Sequence, residues 1–318
     1  MLLQGELIMG SNIYIRTKNR VDCSVPKALD KEGIFHYLVV EPQDYAQYAA
    51  VKLPTTTLLT LDRNDGGYDV VRHFIMSEIK KSGKPGWMFD DDILSIAEVR
   101  PIPHGKMPRT LFKSTYSEAI PAMERDFHNA VVALGAPVTQ TWCCHSNVTG
   151  LNFRKSEYHM VYMDPNLLPS GVFTEKLPWR LEDATLAARV ALEGQKIACH
   201  NDWAIGFTPC GVNLKGGAAD LYGNKEVFDK GVQLVHEYYE SLLSEYLPKL
   251  RPDLREKFGN KKLYRMGMAK AKQRKHIYDI WANHSNIAKL SEYLRESGAY
   301  SQEPKAKALG LVEIQSLS

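Results

Sequence analysis

Residues 86–93 read Gly86-Trp87-Met88-Phe89-Asp90-Asp91-Asp92-Ile93, a short apolar run that ends in three consecutive carboxylates. An apolar run this short, bounded by Gly and Asp, has the size of a buried strand rather than of a helix. Adjacent anions repel, so Asp90, Asp91 and Asp92 need a cation or a set of donors to sit together. Oxygen donors of this kind suit Mg2+ or Mn2+, and Mg2+ sites are typically completed by substrate phosphates. Taken alone, the triplet also fits a solvated loop or the N-cap of a helix beginning at Ile93.

Upstream, Val71, Phe74, Ile75 and Ile79 recur at helical spacing until Gly83-Lys84-Pro85-Gly86 breaks the helix. Before that helix, the strand Thr57 to Leu61 runs into the turn Asp62-Arg63-Asn64-Asp65-Gly66-Gly67. Phe35 to Val40 reads as a buried strand closed by Glu41-Pro42, with a short helix at Asp44 to Tyr48. Ile13-Tyr14-Ile15 is a first strand, ending in Arg16-Thr17-Lys18-Asn19-Arg20. Strands alternating with helices at this spacing predict an α/β fold with a mainly parallel central sheet. Such sheets bind ligands beyond the carboxyl ends of their strands. Arg16 to Arg20, Asp62 to Asp65 and Asp90 to Asp92 are therefore expected to meet in one crevice.

Downstream, residues 101–180 carry eight prolines and read as irregular, forming the acceptor side of the domain. Leu181-Glu182-Asp183-Ala184 opens a helix that Gly194 ends, and a strand at Lys196 to Cys199 follows. Glu182 and Asp183 fit a general base, because a free carboxylate is ionised at neutral pH. Acids at a helix start are also favoured by the helix dipole and by capping. Arg16, Arg63 and Arg72 are candidates to grip a nucleotide diphosphate bidentately, although any one of them also fits an ordinary surface arginine. Gly216-Gly217 offers backbone N–H groups to a phosphate or sugar, or is simply a turn. His200, after its strand, is a candidate third metal ligand beside Asp90 and Asp92, or else a satisfied histidine. The five cysteines match no ordinary zinc spacing and no disulfide framework, which fits a reducing cytoplasm.

The chain has 318 residues, 44% apolar and 24% charged, so a small stapled scaffold is excluded. No apolar run approaches the roughly 18 residues of a membrane span, and MLLQGELIMG does not read as a secretion signal. Net charge is only +3, but residues 251–276 hold ten Lys/Arg against two acids, or +8, which leaves the rest at −5. Phe228, Val232, Val235, Tyr239, Leu242 and Tyr246 mark a long amphipathic helix before that basic segment. The expected organisation is a catalytic domain over 10–225, a basic helical region over 226–300 and a tail over 301–318.

The carboxylates Asp90-Asp91-Asp92 at a strand end and Leu181-Glu182-Asp183 opening a later helix resemble the DxD and xED motifs of GT-A type glycosyltransferases. An arginine on the helix before the DxD strand, as Arg72 is, is usual in such folds. More narrowly, the chain is similar to the bacteriophage TET-associated glycosyltransferases. The points of contact are Leu38 to Tyr45, Trp87 to Ile93, Glu182-Asp183, and Gly216-Gly217 with Tyr222. The resemblance covers about residues 10–225 and implies a GT-A fold, with the C-terminal helices as an appendage. It implies a metal-dependent hexosyl- or pentosyltransferase that uses Mn2+ or Mg2+ and a nucleotide sugar, UDP-linked. Asp92, helped by Asp90, would carry the metal, Asp90 and Asp91 would face the donor, and Asp183 or Glu182 would be the base. The implied acceptor is 5-hydroxymethylcytosine in double-stranded phage DNA, modified in the host cytoplasm with no membrane involved. On that reading the basic segment contacts DNA phosphates, giving sequence-independent affinity; a solvated charged helix is the alternative. The rival functions are transfer to a polysaccharide, lipid or protein, and a catalytically silent module that binds DNA.

Overall fold

In this computed structural model, residues 10–102, 109–140, 149–152, 159–173 and 193–208 are described, with Leu186, Ala187, Arg189, Val190, Glu237, Tyr238, Ser241, Ser244 and Glu245. The first half alternates strand and helix. It runs β1 (Asn12–Arg16), α1 (Ser24–Lys31), β2 (His36–Val40), α2 (Tyr45–Ala50), β3 (Thr56–Thr60), α3 (Gly67–Ser82) and β4 (Gly86–Asp90). Then come β5 (Ile93–Pro101), β6 (Arg109–Lys113), α4 (Tyr116–Asn129), β7 (Val132–Thr139), β8 (Leu151–Asn152), β9 (Met160–Met163) and β10 (Lys196–Phe207). One sheet contains them all, in the order β3-β2-β1-β4-β9-β7-β10-β5-β6, with β8 also on β10.

β3, β2, β1 and β4 pair in parallel, as the alternation of strand and helix in this half of the chain leads one to expect. Beyond β4 the sheet is mixed, because β9 runs antiparallel to β4 and to β7, β7 pairs in parallel with β10, and β5 and β6 follow antiparallel.

The central strands β1, β2, β4, β7 and β9 are buried almost throughout because both faces of the sheet are covered there, while the edge strands β3 and β6 are partly exposed. Ile13 and Ile15 of β1, Leu38 and Val40 of β2, and Trp87 and Phe89 of β4 pack with α1 and α4. The residues between them, Tyr14, Val39 and Met88, pack on the other face with Ile75, Met76 and Ile79 of α3 and with Leu186, Ala187 and Val190. This two-residue alternation follows from the pleat. Fully burying each large side chain contributes about 1.5–3 kcal/mol. Trp87 also satisfies its ring N–H on Glu124 at 2.8 Å, so its polar end is not stranded in the core.

The described residues between 101 and 180 are more regular than the prolines of this stretch suggest. α4 begins with a capping box: Thr115 accepts from the Glu118 N–H at 3.3 Å, and Glu118 accepts from the Thr115 N–H at 3.2 Å. Pro121 lies inside this helix without ending it. β7 contains Pro137 and is nonetheless wholly buried; the β7–β10 register slips between His200 and Ala204, beside that proline. The strand expected at Lys196 to Cys199 continues to Phe207. Ile93 starts a strand rather than a helix.

The helix expected from Leu181 is helical at Leu186, Ala187, Arg189 and Val190, and Gly194 ends it at φ 82°. In the amphipathic helix expected near 228–246, Tyr238 packs against the α3-side core and Glu245 pairs with Arg189 at 3.1 Å. No helix among the described residues is long and apolar enough to cross a membrane.

Candidate active site

Four parallel strands bring their carboxyl ends to one edge, and register decides which residues meet there. Arg16, the last residue of β1, is the in-register partner of Asp90, the last residue of β4. The Arg16 Nε donates to Asp90 Oδ1, and its guanidinium lies 4.9 Å from the Tyr68 ring centroid. Asp91 turns towards the loop after β1. Its Oδ1 accepts from Arg20 Nη1 at 2.6 Å and its Oδ2 accepts from Thr17 Oγ1 at 2.7 Å. Burial pushes the Asp91 carboxyl above its ordinary value, against the opposing pull of Arg20 and Thr17. Asp92 differs from both, since its Oδ1 is buried and has no hydrogen-bond partner.

The antiparallel register of β4 with β9 pairs Phe89 with Met160, which places His159 beside Asp90. The Asp90 N–H donates to the His159 carbonyl at 2.7 Å. His159 Nδ1 lies 2.8 Å from Asp90 Oδ2 and 3.6 Å from Asp92 Oδ1, the second distance being an ion-pair contact without a hydrogen bond. The Phe207 ring stacks on the imidazole at 4.0 Å between centroids. His159 also has a left-handed backbone, φ 65°, a conformation that costs energy and gathers at functional sites.

Burial opposes the charge of His159, but Asp90 and Asp92 outweigh it and push its pKa up to about 10. Burial likewise opposes ionisation of Asp90, and the nearby Arg16 and His159 cations hold it well below the usual carboxylate range. Three carboxylates are thus balanced by Arg16, Arg20 and an imidazolium, which explains how adjacent anions persist at a buried strand end.

One donor atom from each of Asp90, Asp92 and His159 lies within 4.8 Å of the others, close enough for a single divalent cation to bridge them. The orphaned Asp92 Oδ1 fits such an ion, because a buried acceptor without a donor is costly unless a cation completes it.

The turn after β3 joins the same crevice. Lys18 bonds Glu41 at 3.0 Å and also pairs with Asp65. Gln43 donates from its side chain to Glu41 at 2.6 Å and from its backbone to Asn64 at 2.9 Å. Of the expected meeting, Arg16 and Arg20 join Asp90 and Asp91, and Lys18 joins Asp65, while Asp62 stays with Arg63 on an exposed rim.

Not every candidate residue arrives there. Arg63 pairs with its neighbour Asp62 at 2.7–2.8 Å on an exposed rim. Arg72 is buried on α3. Instead of joining the two carboxylates, His200 sits on β10 with its Nε2 2.9 Å from Asp126 of α4 and its Nδ1 accepting from the Asp202 N–H at 3.4 Å. His159 takes the place considered for it. The ring of His200 is held by the α4–β10 contact, which is why a histidine after a strand was a misleading signal there. Glu182, Asp183, Gly216, Gly217 and the basic segment lie outside the described residues.

Thr17 and Lys18 come with the expected cluster after β1, whereas Glu41, Tyr48 and His159 join the site without having been singled out. His159 had a signal in its position before the apolar run Met160-Val161-Tyr162-Met163, which becomes informative only once that run is known to pair against β4.

Among known proteins, no curated sequence is significantly similar to this chain. A solved structure that resembles it is that of GalNAc-T7 with UDP, GalNAc and Mn2+, at 11% identity and a TM-score of 0.41. The match covers 84% of this chain and 57% of that one, so this chain spans a little over half the length of its structural neighbour. Likeness at that level transfers nothing about activity. A family model, TET-Associated Glycosyltransferase, matches residues 11–208, a span that contains every element from β1 to β10. The chain belongs to the TET-associated glycosyltransferase family.

Proposed function

We propose that the protein is a metal-dependent glycosyltransferase that moves a sugar from a UDP-linked donor to the hydroxyl of 5-hydroxymethylcytosine in phage DNA. The observation that carries this reading is the Asp90-Asp92-His159 donor set at the carboxyl end of a parallel half-sheet, in a chain of a glycosyltransferase family. Asp92 Oδ1, an Asp90 oxygen and His159 Nδ1 would hold the ion. An imidazole nitrogen in the set favours Mn2+ over the strictly oxygen-seeking Mg2+. A divalent cation there supplies charge neutralisation for the departing diphosphate.

The chain's own residues do the rest. Arg16, Lys18 and Arg20 line the crevice with positive charge where the diphosphate would lie, and the Glu41, Gln43 and Asp65 rim offers acceptors and a donor for the nucleoside. Asp183, or Glu182, takes the proton of the acceptor hydroxyl as its oxygen bonds to the anomeric carbon. The bond from that carbon to the diphosphate oxygen breaks with its electron pair, so the configuration inverts.

A hydroxymethyl group on C5 projects into the major groove, where it is reachable without reading sequence. The basic segment 251–276 supports DNA as the acceptor through phosphate contacts. The test is mass spectrometry of nucleosides from hydroxymethylated DNA after incubation with mixed sugar nucleotides and Mn2+. A hexose or pentose adduct on hydroxymethylcytosine is expected, and it should vanish in Asp92→Asn and in Asp183→Asn. Transfer that survives Asp92→Asn would remove the metal site from the mechanism. Transfer only to a glycan, lipid or peptide would replace DNA as the acceptor.

A further inference from the structure

We infer that Tyr48 is a positioning residue for the cationic loop that faces the carboxylates, acting through one directed hydrogen-bond chain and touching no substrate. This rests on the proposed transferase site and adds to it a side chain from α2. Tyr48 is 1% exposed, and its ring packs into the α1-side core beneath the crevice loop. Only its hydroxyl reaches the loop, where the oxygen lies 2.7 Å from Thr17 Oγ1 and accepts from the Arg20 N–H at 2.9 Å.

Elementary hydrogen-bond accounting fixes every direction. Thr17 Oγ1 lies 2.7 Å from Asp91 Oδ2, and an ionised carboxylate only accepts, so the single proton of Thr17 goes there. Thr17 must then accept from Tyr48, which spends its own proton on that bond and presents a lone pair to the Arg20 N–H. The chain runs Arg20 N–H to Tyr48 to Thr17 to Asp91, and it closes on itself because Arg20 Nη1 also bonds Asp91 at 2.6 Å. Bonds in such a series polarise one another in the same sense.

The loop between these anchors includes Asn19 at φ 56°, a left-handed turn residue with little regular structure to hold it. Its two ends grip Asp90 through Arg16 and Asp91 through Arg20. Removing the phenol hydroxyl takes from the Arg20 N–H its acceptor and from Thr17 Oγ1 its donor at a half-buried loop. The loop then relaxes, and Arg16, Lys18 and Arg20 lose their fixed geometry for a diphosphate.

The experiment compares Tyr48→Phe, Thr17→Val, Thr17→Ser and the double variant Tyr48→Phe/Thr17→Val in the full chain. UDP binding with Mn2+ is measured by calorimetry, thermal stability by melting, and the Arg20 amide by hydrogen exchange. Tyr48→Phe and Thr17→Val should each weaken UDP–Mn2+ binding about tenfold. Thr17→Ser, which keeps the hydroxyl and so the chain, should bind more tightly than Thr17→Val. The double variant should be no worse than either single variant, because both break the same chain. Exchange at Arg20 should rise while exchange in β4 stays unchanged. A folded Tyr48→Phe with native UDP affinity and a protected Arg20 amide overturns the inference, as do multiplicative losses in the double variant or faster exchange across the whole sheet. If Tyr48→Phe does not fold, the contrast between Thr17→Val and Thr17→Ser decides. A wild type that binds no nucleoside diphosphate refutes the proposed function, while the exchange arm still tests Tyr48.

Discussion

Asp90 and Asp91 each have both side-chain oxygens engaged by other side chains, and Asp92 does not. Three carboxylates that look equal in sequence therefore have three different duties, and substitution should separate them. Asp91→Asn removes the carboxylate charge that Arg20 Nη1 bonds at 2.6 Å, so stability should fall by about 1–3 kcal/mol in denaturant titrations. Asp92→Asn removes a buried charge whose Oδ1 accepts no hydrogen bond but pairs with His159 at 3.6 Å, so the metal-free melting temperature should fall by less than in Asp91→Asn while Mn2+ binding, read by electron paramagnetic resonance, is lost. His159 adds a pH dependence of definite sign. Its raised pKa means that the stabilisation from its ion pairs is full below an ordinary histidine value of about 6.5 and drains away as pH rises towards about 10. An ion binding at Nδ1 must displace that proton, so Mn2+ affinity should climb by up to about tenfold per pH unit between roughly pH 7 and 9 in calorimetric titrations. At this scale the carboxylates were legible because three adjacent anions need an explanation. His159 was not, since a single histidine carries no charge anomaly until strand pairing sets it against Asp90.

Elements were legible where apolar residues keep a period. β1, β2 and β4, buried on both faces, and α3, buried on one, announce themselves, and the half-exposed edge strand β3 does so through Leu58 and Leu59. α1 does not, since only Val25, Pro26 and Leu29 of its eight residues are buried. α4 carried a Thr-x-x-Glu capping signal at Thr115 and Glu118, but Pro121 inside it argued for irregular chain. What fixes α4 is tertiary packing, in which Phe127 lies between Trp87 and Tyr162 and against β7. Gly135 of β7 makes that approach possible: a Cβ there would lie 2.7 Å from the Phe127 ring. Gly135→Ala should therefore destabilise the protein by about 1–3 kcal/mol in chemical denaturation, through overpacking against a ring that has no room to move.

Over the whole molecule, the near-neutral total of +3 conceals an acidic body and a +8 segment at residues 251–276. If that segment tracks DNA phosphates, log affinity for duplex DNA should fall linearly with log salt. Neutralising Lys270, Lys272, Arg274 and Lys275 should then reduce the slope by about 3 to 4. Fluorescence anisotropy at several salt concentrations measures both, and a slope unchanged by the four substitutions places the DNA contacts elsewhere. The sheet itself has a property of a different kind. β4 runs parallel to β1 on one side and antiparallel to β9 on the other, so Asp92 and His159 are the two ends of one long excursion of the chain. That excursion carries β5, β6, α4, β7 and β8, so only the turns between these elements can lengthen or shorten, at about 0.6 kcal/mol for each doubling of a flexible loop. Its phase has no such freedom. A slip of β9 by one residue moves His159 by about 3.3 Å and turns its ring to the opposite face of the sheet. The Asp90-Asp92-His159 set thus depends on strand alignment, and it is intolerant of a single residue's error in how the two strands meet.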